Sequence, residues 1–347
     1  MPLVNADKLH ELAKDILMAA GATERNADRV AEALVSSNLS GVDSHGVWHL
    51  PRYVTYMENG DIVPDAAPEI LSETATTALI TGNWTFGHIA AKYAMEIAIQ
   101  KASEQTVAVV SIVQVNHIGR LGEYAELAAS SDMISIICGS GYGVETPSAA
   151  PYGGRKPALH TNPISIGFPA GEEQFLSLDY ATTTVSGSKV ILAQKGLFNI
   201  PTDAIIDSEG NPSSAPSDFF EGGAQLPFGR HKGYALMVAI EALGRILAGS
   251  DTHAVADRGG DLMRHQGVSM IVIKADAFRP LAQFTGQIDD LERSLRNVPA
   301  APGFDRVLSP GDPEKQARRE RLKNGIPIPE DVWDSLVDVA TSLEVMM

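Results

Sequence analysis

Apolar residues recur at helical spacing through the first 60 or so positions. Leu9, Leu12, Ile16 and Leu17 share one face of a helix over about 5 to 20, and Ala27, Val30, Ala31, Leu34 and Val35 do the same over Glu24 to Asn38. Ser40-Gly41 stops the second helix. A third begins near Pro51, where a missing N–H costs nothing at the first helical position, and runs through Tyr53, Tyr56 and Met57 to Asn59-Gly60. After the proline-punctuated stretch DIVPDAAPEI, read as an extended connection, the pattern changes. Thr77 to Thr81 reads as a short strand, Gly82 to Gly87 as a loop, and Ile89, Tyr93, Ala94, Ile97 and Ala98 as the stripe of a helix ending near Gln105. Thr106 to Val113 is a continuous, largely β-branched run, the pattern of a strand buried on both faces. A helix carrying Leu121, Tyr124, Ala125, Leu127 and Ala128 follows it. Further strands are predicted at Met133 to Cys138, Ile164 to Phe168 and Phe175 to Leu178, and long loops with short pieces of structure between about 180 and 230. Gly233 to Ala248 is the most apolar helix and is expected to lie across a sheet. Val268 to Ile273 reads as a strand, Leu291 to Asn297 as part of a helix, Pro313 opens another, and a last helix starts at Glu330. No internal repeat is evident. Because the strands are short and do not alternate strictly with helices, the fold class is mixed α+β rather than a doubly wound sheet.

Composition narrows the function without naming it. The chain has 347 residues, 44% hydrophobic and 20% charged, enough for two domains or one elaborated one. With 27 Lys+Arg against 43 Asp+Glu the net charge is −16, which argues against nucleic acid and anionic membrane surfaces as partners. The single cysteine, Cys138, lies in the apolar run MISIIC. It has no partner for an internal disulfide, so it reads as a buried structural thiol in a reducing, cytoplasmic compartment. Lys8, Glu11, Lys14 and Asp15 interrupt any signal-peptide core, and no apolar stretch is expected to reach the roughly 20 residues of a membrane span.

Candidate chemistry concentrates in Leu39 to Tyr53, LSGVDSHGVWHLPRY, where Ser44, His45 and His49 lie just before a helix N-terminus that favours a bound carboxylate or phosphate. The same residues also fit a simple capped helix start with solvated histidines. His45 and His49 have the i, i+4 spacing of a helical metal chelate, but Gly46 and Pro51 argue against helix there. His117 falls where the core strand hands over to a helix, a place where rigid scaffolds present chemistry. Gly139, Gly141 and Gly143 follow a strand, yet a dinucleotide fingerprint would need glycine at Val144, and Pro147 sits where its helix should open. No phosphate-binding GxxxxGK[ST] or HExxH motif is present. GRHKGYAL places Arg230, His231 and Lys232 before the apolar helix, suited to a cofactor phosphate or equally to a solvated basic turn. LDYATTTVSGSK ends a strand on Asp179, which fits a ribose hydroxyl, a histidine partner or a turn cap.

Taken together, SGVDSHGVWHLPRY, NHIGRLGEYAE, TNPISIGFP, LDYAT, HKGYAL and SPGDPEKQARRERLKNGIPI resemble, in order and approximate spacing, the malate/L-lactate dehydrogenase type 2 family. That family includes ureidoglycolate and sulfolactate dehydrogenases, diketogulonate reductase and hydroxycarboxylate dehydrogenase B, the last looking nearest. The likeness covers about residues 5 to 335. It implies an NAD- or NADP-dependent oxidoreductase with a non-Rossmann, largely antiparallel nicotinamide-binding domain, working as a homodimer with its active site near the subunit interface. The expected layout is a helical domain of residues 1–70 joined by 305–347, and an α+β core of 71–304. By resemblance, Ser44, His45 and Gly46 match the S-H-G segment, His117 the catalytic histidine, and Gly119, Arg120 and Leu121 cofactor contacts beside it. Leu178, Asp179, Tyr180, Ala181 and Thr182 match a cofactor-binding strand end. His231 and Lys232, and Gly311, Asp312, Pro313 and Glu314, match further cofactor contacts. The chain departs from the family at His49, where many relatives carry a carboxylate-binding arginine, and at His160, where glycine usually precedes Thr161-Asn162-Pro163.

A hydride transfer at C2 of a 2-hydroxy or 2-oxo acid requires a proton carrier and a carboxylate anchor. Imidazole exchanges protons near neutrality. His117 is expected as acid/base, His45 and Ser44 as hydrogen bonds to the reacting oxygen, and Arg52, with His49 and Thr161, as the substrate-binding set. The roles of His45 and His117 are interchangeable at this level. The alternatives are a cyclic-imine or ureidoglycolate substrate in the same fold, a metal-dependent lyase or hydrolase using His45, His49, His117 and Asp179, and a non-catalytic relative.

Overall fold

A computed structural model describes residues 1–196 and 199–346. The N-terminal helices α1 (Ala6–Ala19), α2 (Glu24–Leu39) and α3 (Leu50–Glu58) follow the apolar spacing closely. Asn5 caps α1 by accepting the Asp7 and Lys8 N–H groups, and Thr23 caps α2. Leu9, Ala13, Ile16 and Leu17 of α1 are fully buried in one cluster with Val30, Ala31 and Leu34 of α2. Helices α4 (Gly87–Gln105), α5 (Leu121–Ala129), α6 (Gly187–Gln194), α7 (His231–Glu241), α8 (Leu281–Arg296), α9 (Asp312–Asn324) and α10 (Glu330–Ser342) follow along the chain. Leu336 and Ala340 of α10 enter the same cluster as α1 and α2, and Leu3–Val4 pairs antiparallel with Ile326–Pro327. The two ends of the chain therefore share one core.

A second core forms on a mostly antiparallel sheet of seven strands. In chain order they are β1 (Glu69–Glu73), β2 (Thr77–Thr81), β3 (Val107–Val113), β4 (Met133–Ser140), β5 (Ile164–Pro169), β6 (Phe175–Tyr180) and β7 (Gly267–Lys274). They lie in the order β1-β2-β3-β7-β4-β5-β6. β2 and β3 run parallel, joined by α4 as the crossover; the other neighbouring pairs are antiparallel. Ala108, Val110 and Ile112 of β3 are fully buried in the cluster that also holds Ala90, Ala94 and Ala98 of α4. The small residues on α4 let helix and sheet approach closely. β3 and β7 occupy the middle of the sheet, so its firmest part delivers the loop that begins at Gln114.

Two elements depart from the sequence reading for physical reasons. β1 is an edge strand whose residues are mostly exposed, so EILSE lacks the apolar alternation of a half-buried strand. α8 begins ten residues earlier than Leu291 and buries acids instead of an apolar stripe. Asp289 accepts the Gly171 and Glu172 N–H groups, and Glu292 pairs with Arg296. The apolar helix also needs correction. From His231 to His253 it has the length and hydropathy of a membrane span. Here it lies on the sheet, with Ile240 packed against Cys138 and Ile164, and passes through a π turn at Ala242–Ile246.

Candidate active site

Beyond Gly41 the chain makes two short 3-10 turns, Asp43–His45 and Val47–His49, before α3. The Asn38 carboxamide holds them: its Oδ1 accepts the Val47 N–H at 2.9 Å and its Nδ2 donates to Asp43 at 2.6 Å. Gly46 crosses directly over that amide, and a Cβ there would stand 2.2 Å from Asn38 Oδ1. This close approach is why glycine follows His45. Arg321 of α9 forks Asp43 at 2.6 and 3.0 Å and fixes the turn from the C-terminal side. A second segment arrives from β3. Buried Asn116 donates to the carbonyls of Asp61, Trp84 and Thr85, which locks the loop carrying His117. Gly119, at φ +73°, faces His88, whose Nε2 lies 2.5 Å from where a Cβ would be.

The two segments, with the first turn of α4, bring four imidazoles together. The His45 and His117 rings stack with centroids 5.5 Å apart, His49 lies 4.6 Å from His117, and His88 meets it edge-on at 6.0 Å. Ser44 Oγ is 3.0 Å from His45 Nδ1. Tyr53, one turn of α3 beyond His49, has its hydroxyl 2.7 Å from His117 Nδ1. The Ser44 carbonyl accepts from Trp48 Nε1 at 2.8 Å and from His49 Nε2 at 3.0 Å. Since a carbonyl only accepts, the proton of neutral His49 resides on Nε2.

Burial sets the charge state of this cluster. Removal from water pushes His45 down to about 4, helped by the Arg120 charge, and drives His49, His88 and His117 well below the usual imidazole range. Neighbouring imidazoles add to the fall at the last three. Burial likewise raises the Tyr53 phenol well above its usual range, so it keeps its proton. At neutral pH His117 is therefore an uncharged base held by a neutral phenol.

These rings close one end of a cavity of about 1070 Å³. Ser44, His45, His49, Arg52 and His117 line that end, with Gly119, Arg120, Leu121 and Thr161 beside them. Leu178, Asp179, Tyr180 and Ala181 line it from the end of β6, and Gly311, Pro313 and Glu314 from the start of α9. Asp179 accepts the Gly122 N–H at 2.7 Å, and burial raises its pKa to about 6 against the opposing pull of Arg120. Arg120 forks Glu126 at 2.7 and 2.8 Å.

Four expected contacts do not line this cavity. Thr182 is fully buried behind it, its hydroxyl donating to the carbonyls of Thr161 and Asn162. The Asp312 carboxylate accepts the Ser309 N–H and pairs with Arg296. His231 and Lys232 are exposed at the start of α7, with the His231 ring near Tyr152. Conversely, the sequence reading missed Tyr53, His88, Trp48 and Tyr142 as site residues. Tyr53 at i+4 from His49 was the available signal; His88, in GHIA, offered none. The metal-dependent alternative meets a different geometry: the histidines stack face to face, and one nitrogen each of His45, His49 and His117 is engaged. Among the described residues no group of three or more His, Cys, Asp or Glu is disposed to hold a metal ion.

The sequence pattern of the malate/L-lactate dehydrogenase family matches residues 4–337. The chain belongs to this family. L-Sulfolactate dehydrogenase of Methanothermobacter thermautotrophicus is 34% identical over 337 residues, covering 96% of this chain and 95% of that protein. Hydroxycarboxylate dehydrogenase B of Escherichia coli is 32% identical over 347 residues, covering 98% and 94% respectively. Malate dehydrogenase of Entamoeba histolytica superposes with a TM-score of 0.91 at 27% identity, covering 100% of this chain and 99% of that one. Malate/L-lactate dehydrogenase membership accounts for the ordered motifs, because SHG, NHIGR and LDYA converge on one cavity.

Proposed function

We propose that this hydroxy acid dehydrogenase transfers a hydride between a nicotinamide, of NAD or NADP, and C2 of a 2-hydroxy or 2-oxo acid, with His117 as acid/base. The observation that carries the reading is the neutral His117 ring, stacked on His45 and bound at Nδ1 by Tyr53, on the wall of a deep cavity. The cavity suits a dinucleotide. Its volume of about 1070 Å³ exceeds what a small acid needs, and Gly311, at φ +88° with Ser177 backbone only 3.2 Å from a Cβ position, keeps its far wall open. The Nε atom of Arg120 is buried without a partner on the same wall, a donor awaiting an acceptor. Leu178 to Ala181, Gly119 to Leu121, and Gly311, Pro313 and Glu314 would hold the cofactor. When bound, the nicotinamide supplies or receives the hydride.

The chain's own residues handle the proton and the placement. With its Nδ1–H donating to the Tyr53 oxygen, neutral His117 keeps a lone pair on Nε2 to take the hydroxyl proton in oxidation and return it in reduction. His45, oriented by Ser44, and the Ser44 hydroxyl hydrogen-bond the reacting oxygen, while Arg52 anchors the C2 carboxylate. Thr161 and His49 complete the substrate wall. His231, Lys232, Thr182 and Asp312 support the cofactor from outside this single-chain cavity, His231 and Lys232 across a homodimer contact. The apolar side chains Val238, Ile246 and Leu247, exposed on and just beyond α7, support that pairing. The helical body of residues 1–70 with 305–347 works as one domain and 71–304 as the other, a non-Rossmann cofactor domain; the separate clusters around α1–α3 and the sheet support that division. Buried Cys138, its thiol pushed up to about 11 by burial, fits a reducing cytoplasm. The test is cofactor oxidation over a panel of 2-oxo acids with NADH and NADPH in turn. Absence of turnover on every acid would overturn the reading.

A further inference from the structure

Given His117 as the acid/base, on which this inference rests, one buried proton lacks an acceptor. To take a hydroxyl proton on Nε2, neutral His117 must carry its own proton on Nδ1 and donate it to the Tyr53 oxygen 2.7 Å away. The phenol O–H must then be accepted elsewhere, in a place where Tyr53 is 2% exposed and an unmade hydrogen bond is costly. Among the described residues the Tyr53 hydroxyl makes no hydrogen bond other than that with His117. Three other rings pack on Tyr53: His49, Phe86 and His88. Phe86 offers no acceptor. His49 lies nearly parallel to the phenol, at 12°, so its Nδ1 lone pair, which lies in the ring plane, runs alongside the hydroxyl rather than toward it.

His88, in the first turn of α4, remains. It stands at 65° to the phenol with centroids 5.8 Å apart, and meets the His117 ring at 83° and 6.0 Å. It is buried, and neither ring nitrogen has a hydrogen-bond partner in the protein. An apolar side chain of the same size would fill that space without two unmet nitrogens, so packing alone does not explain an imidazole there. Burial, together with the charges of His117, of Arg29 on α2 and of His45, holds His88 well below the usual imidazole range. It is therefore neutral, and whichever nitrogen carries its proton, the other keeps a lone pair. Gly119 fits the same placement. A Cβ there would stand 2.5 Å from His88 Nε2 and 2.8 Å from Cδ2, so glycine lets the loop bearing His117 close over this ring edge.

We propose that His88 is a positioning residue: through one buried water it accepts the Tyr53 O–H, which turns the phenol oxygen toward His117 Nδ1–H and leaves the Nε2 lone pair for the substrate. The protons then run in one direction, from His117 to Tyr53, from Tyr53 to the water, and from the water to His88. Without that acceptor the phenol proton turns onto His117 Nδ1, and the imidazole proton moves to Nε2, where it blocks the substrate hydroxyl.

Neutron diffraction from crystals of the deuterated full chain reads this order without substitution or turnover. Deuterons are expected on His117 Nδ1 and on the Tyr53 oxygen, the latter directed at a water bound to His88. A Tyr53 deuteron directed at His117, or at any group other than that water, overturns the proposal. Kinetics with the 2-oxo acid and cofactor that the enzyme accepts separate positioning from packing. His88→Phe should lower kcat about tenfold, the scale of one lost hydrogen bond, with cofactor KM changed less than about twofold. His88→Gln, which restores an acceptor, should bring kcat to within about threefold of the parent. In a Tyr53→Phe background there is no hydroxyl to orient, and His88→Phe should cost less than about twofold further. Losses that multiply to about a hundredfold, or a folded His88→Gln variant no better than His88→Phe, overturn the proposal. Absence of turnover on every 2-oxo acid overturns the hydroxy acid reading, and with it the purpose assigned to His88, even where neutrons show the expected bond.

Discussion

The two ends of the cavity treat charge in opposite ways. At the imidazole end, His45, His49, His88 and His117 lose their charge to burial; a phenol holds His117, a hydroxyl His45 and a carbonyl His49, while both ring nitrogens of His88 are buried without a hydrogen-bond partner. On the wall formed by the end of β6, Asp179 accepts the Gly122 N–H, and Arg120, whose charge also reaches His45, is held in a fork to Glu126 behind the cavity lining. The difference teaches that this cavity separates two tasks. Proton exchange needs a base that is uncharged before it acts, whereas holding a polar cofactor needs fixed charges that do not respond to reaction.

Breaking the imidazole end has the largest effect. His117→Ala should lower turnover by roughly two to four orders of magnitude with an unchanged circular dichroism spectrum. Tyr53→Phe keeps the ring and removes only the bond to Nδ1. It should lower kcat about tenfold, the scale of one lost hydrogen bond, and shift the pH profile while leaving cofactor KM near its original value. A pH profile identical to the parent enzyme would show that Tyr53 merely packs. On the β6 wall, Asp179→Asn should raise cofactor KM by a few fold, roughly one weakened hydrogen bond, with little change in kcat. A fall in kcat matching that of Tyr53→Phe would erase the division of labour.

The smallest effect is a pH dependence of stability. The imidazoles have folded-state pKa values below their unfolded value of 6.5, so their contribution is complete above 6.5 and is lost as pH falls toward about 4, the value for His45. Asp179 acts in the opposite sense: its folded value near 6 exceeds 3.8, so its ionisation disfavours the fold as pH rises through 6. Four imidazoles outweigh one carboxyl, and Tm should therefore be lower at pH 4.5 than at pH 7.5 by a few degrees, measurable by calorimetry. Asp179→Asn should deepen that acid loss, since it deletes the opposing term.

Much of this architecture is legible in the residues. β3 and β7 are apolar runs because both faces of the central sheet are covered, and α1 and α2 follow their stripes because one face is buried. α8 does carry apolar residues at helical spacing, Leu281, Phe284, Ile288, Leu291 and Leu295, but its buried side chains are the acids Asp289 and Glu292, docked by caps and an ion pair that no apolar period announces. The turn from Asp43 to His49 was legible as non-helical from Gly46 and Pro51, yet its stacking on His117 is a long-range contact that no local pattern encodes. Tyr53 shows the same limit. Its spacing marks a helix face, but its hydroxyl meets a ring 64 residues away.

The Arg321 fork to Asp43 carries a consequence for how the molecule is made. The loop bearing His45 receives its last brace from a side chain translated 278 positions later, so a nascent chain still lacking α9 holds the S-H-G turn without that support. Competence to react is thereby deferred until synthesis is nearly complete, and trimming the polypeptide ahead of Arg321 should leave a sheet that still forms around an imidazole with nowhere fixed to stand.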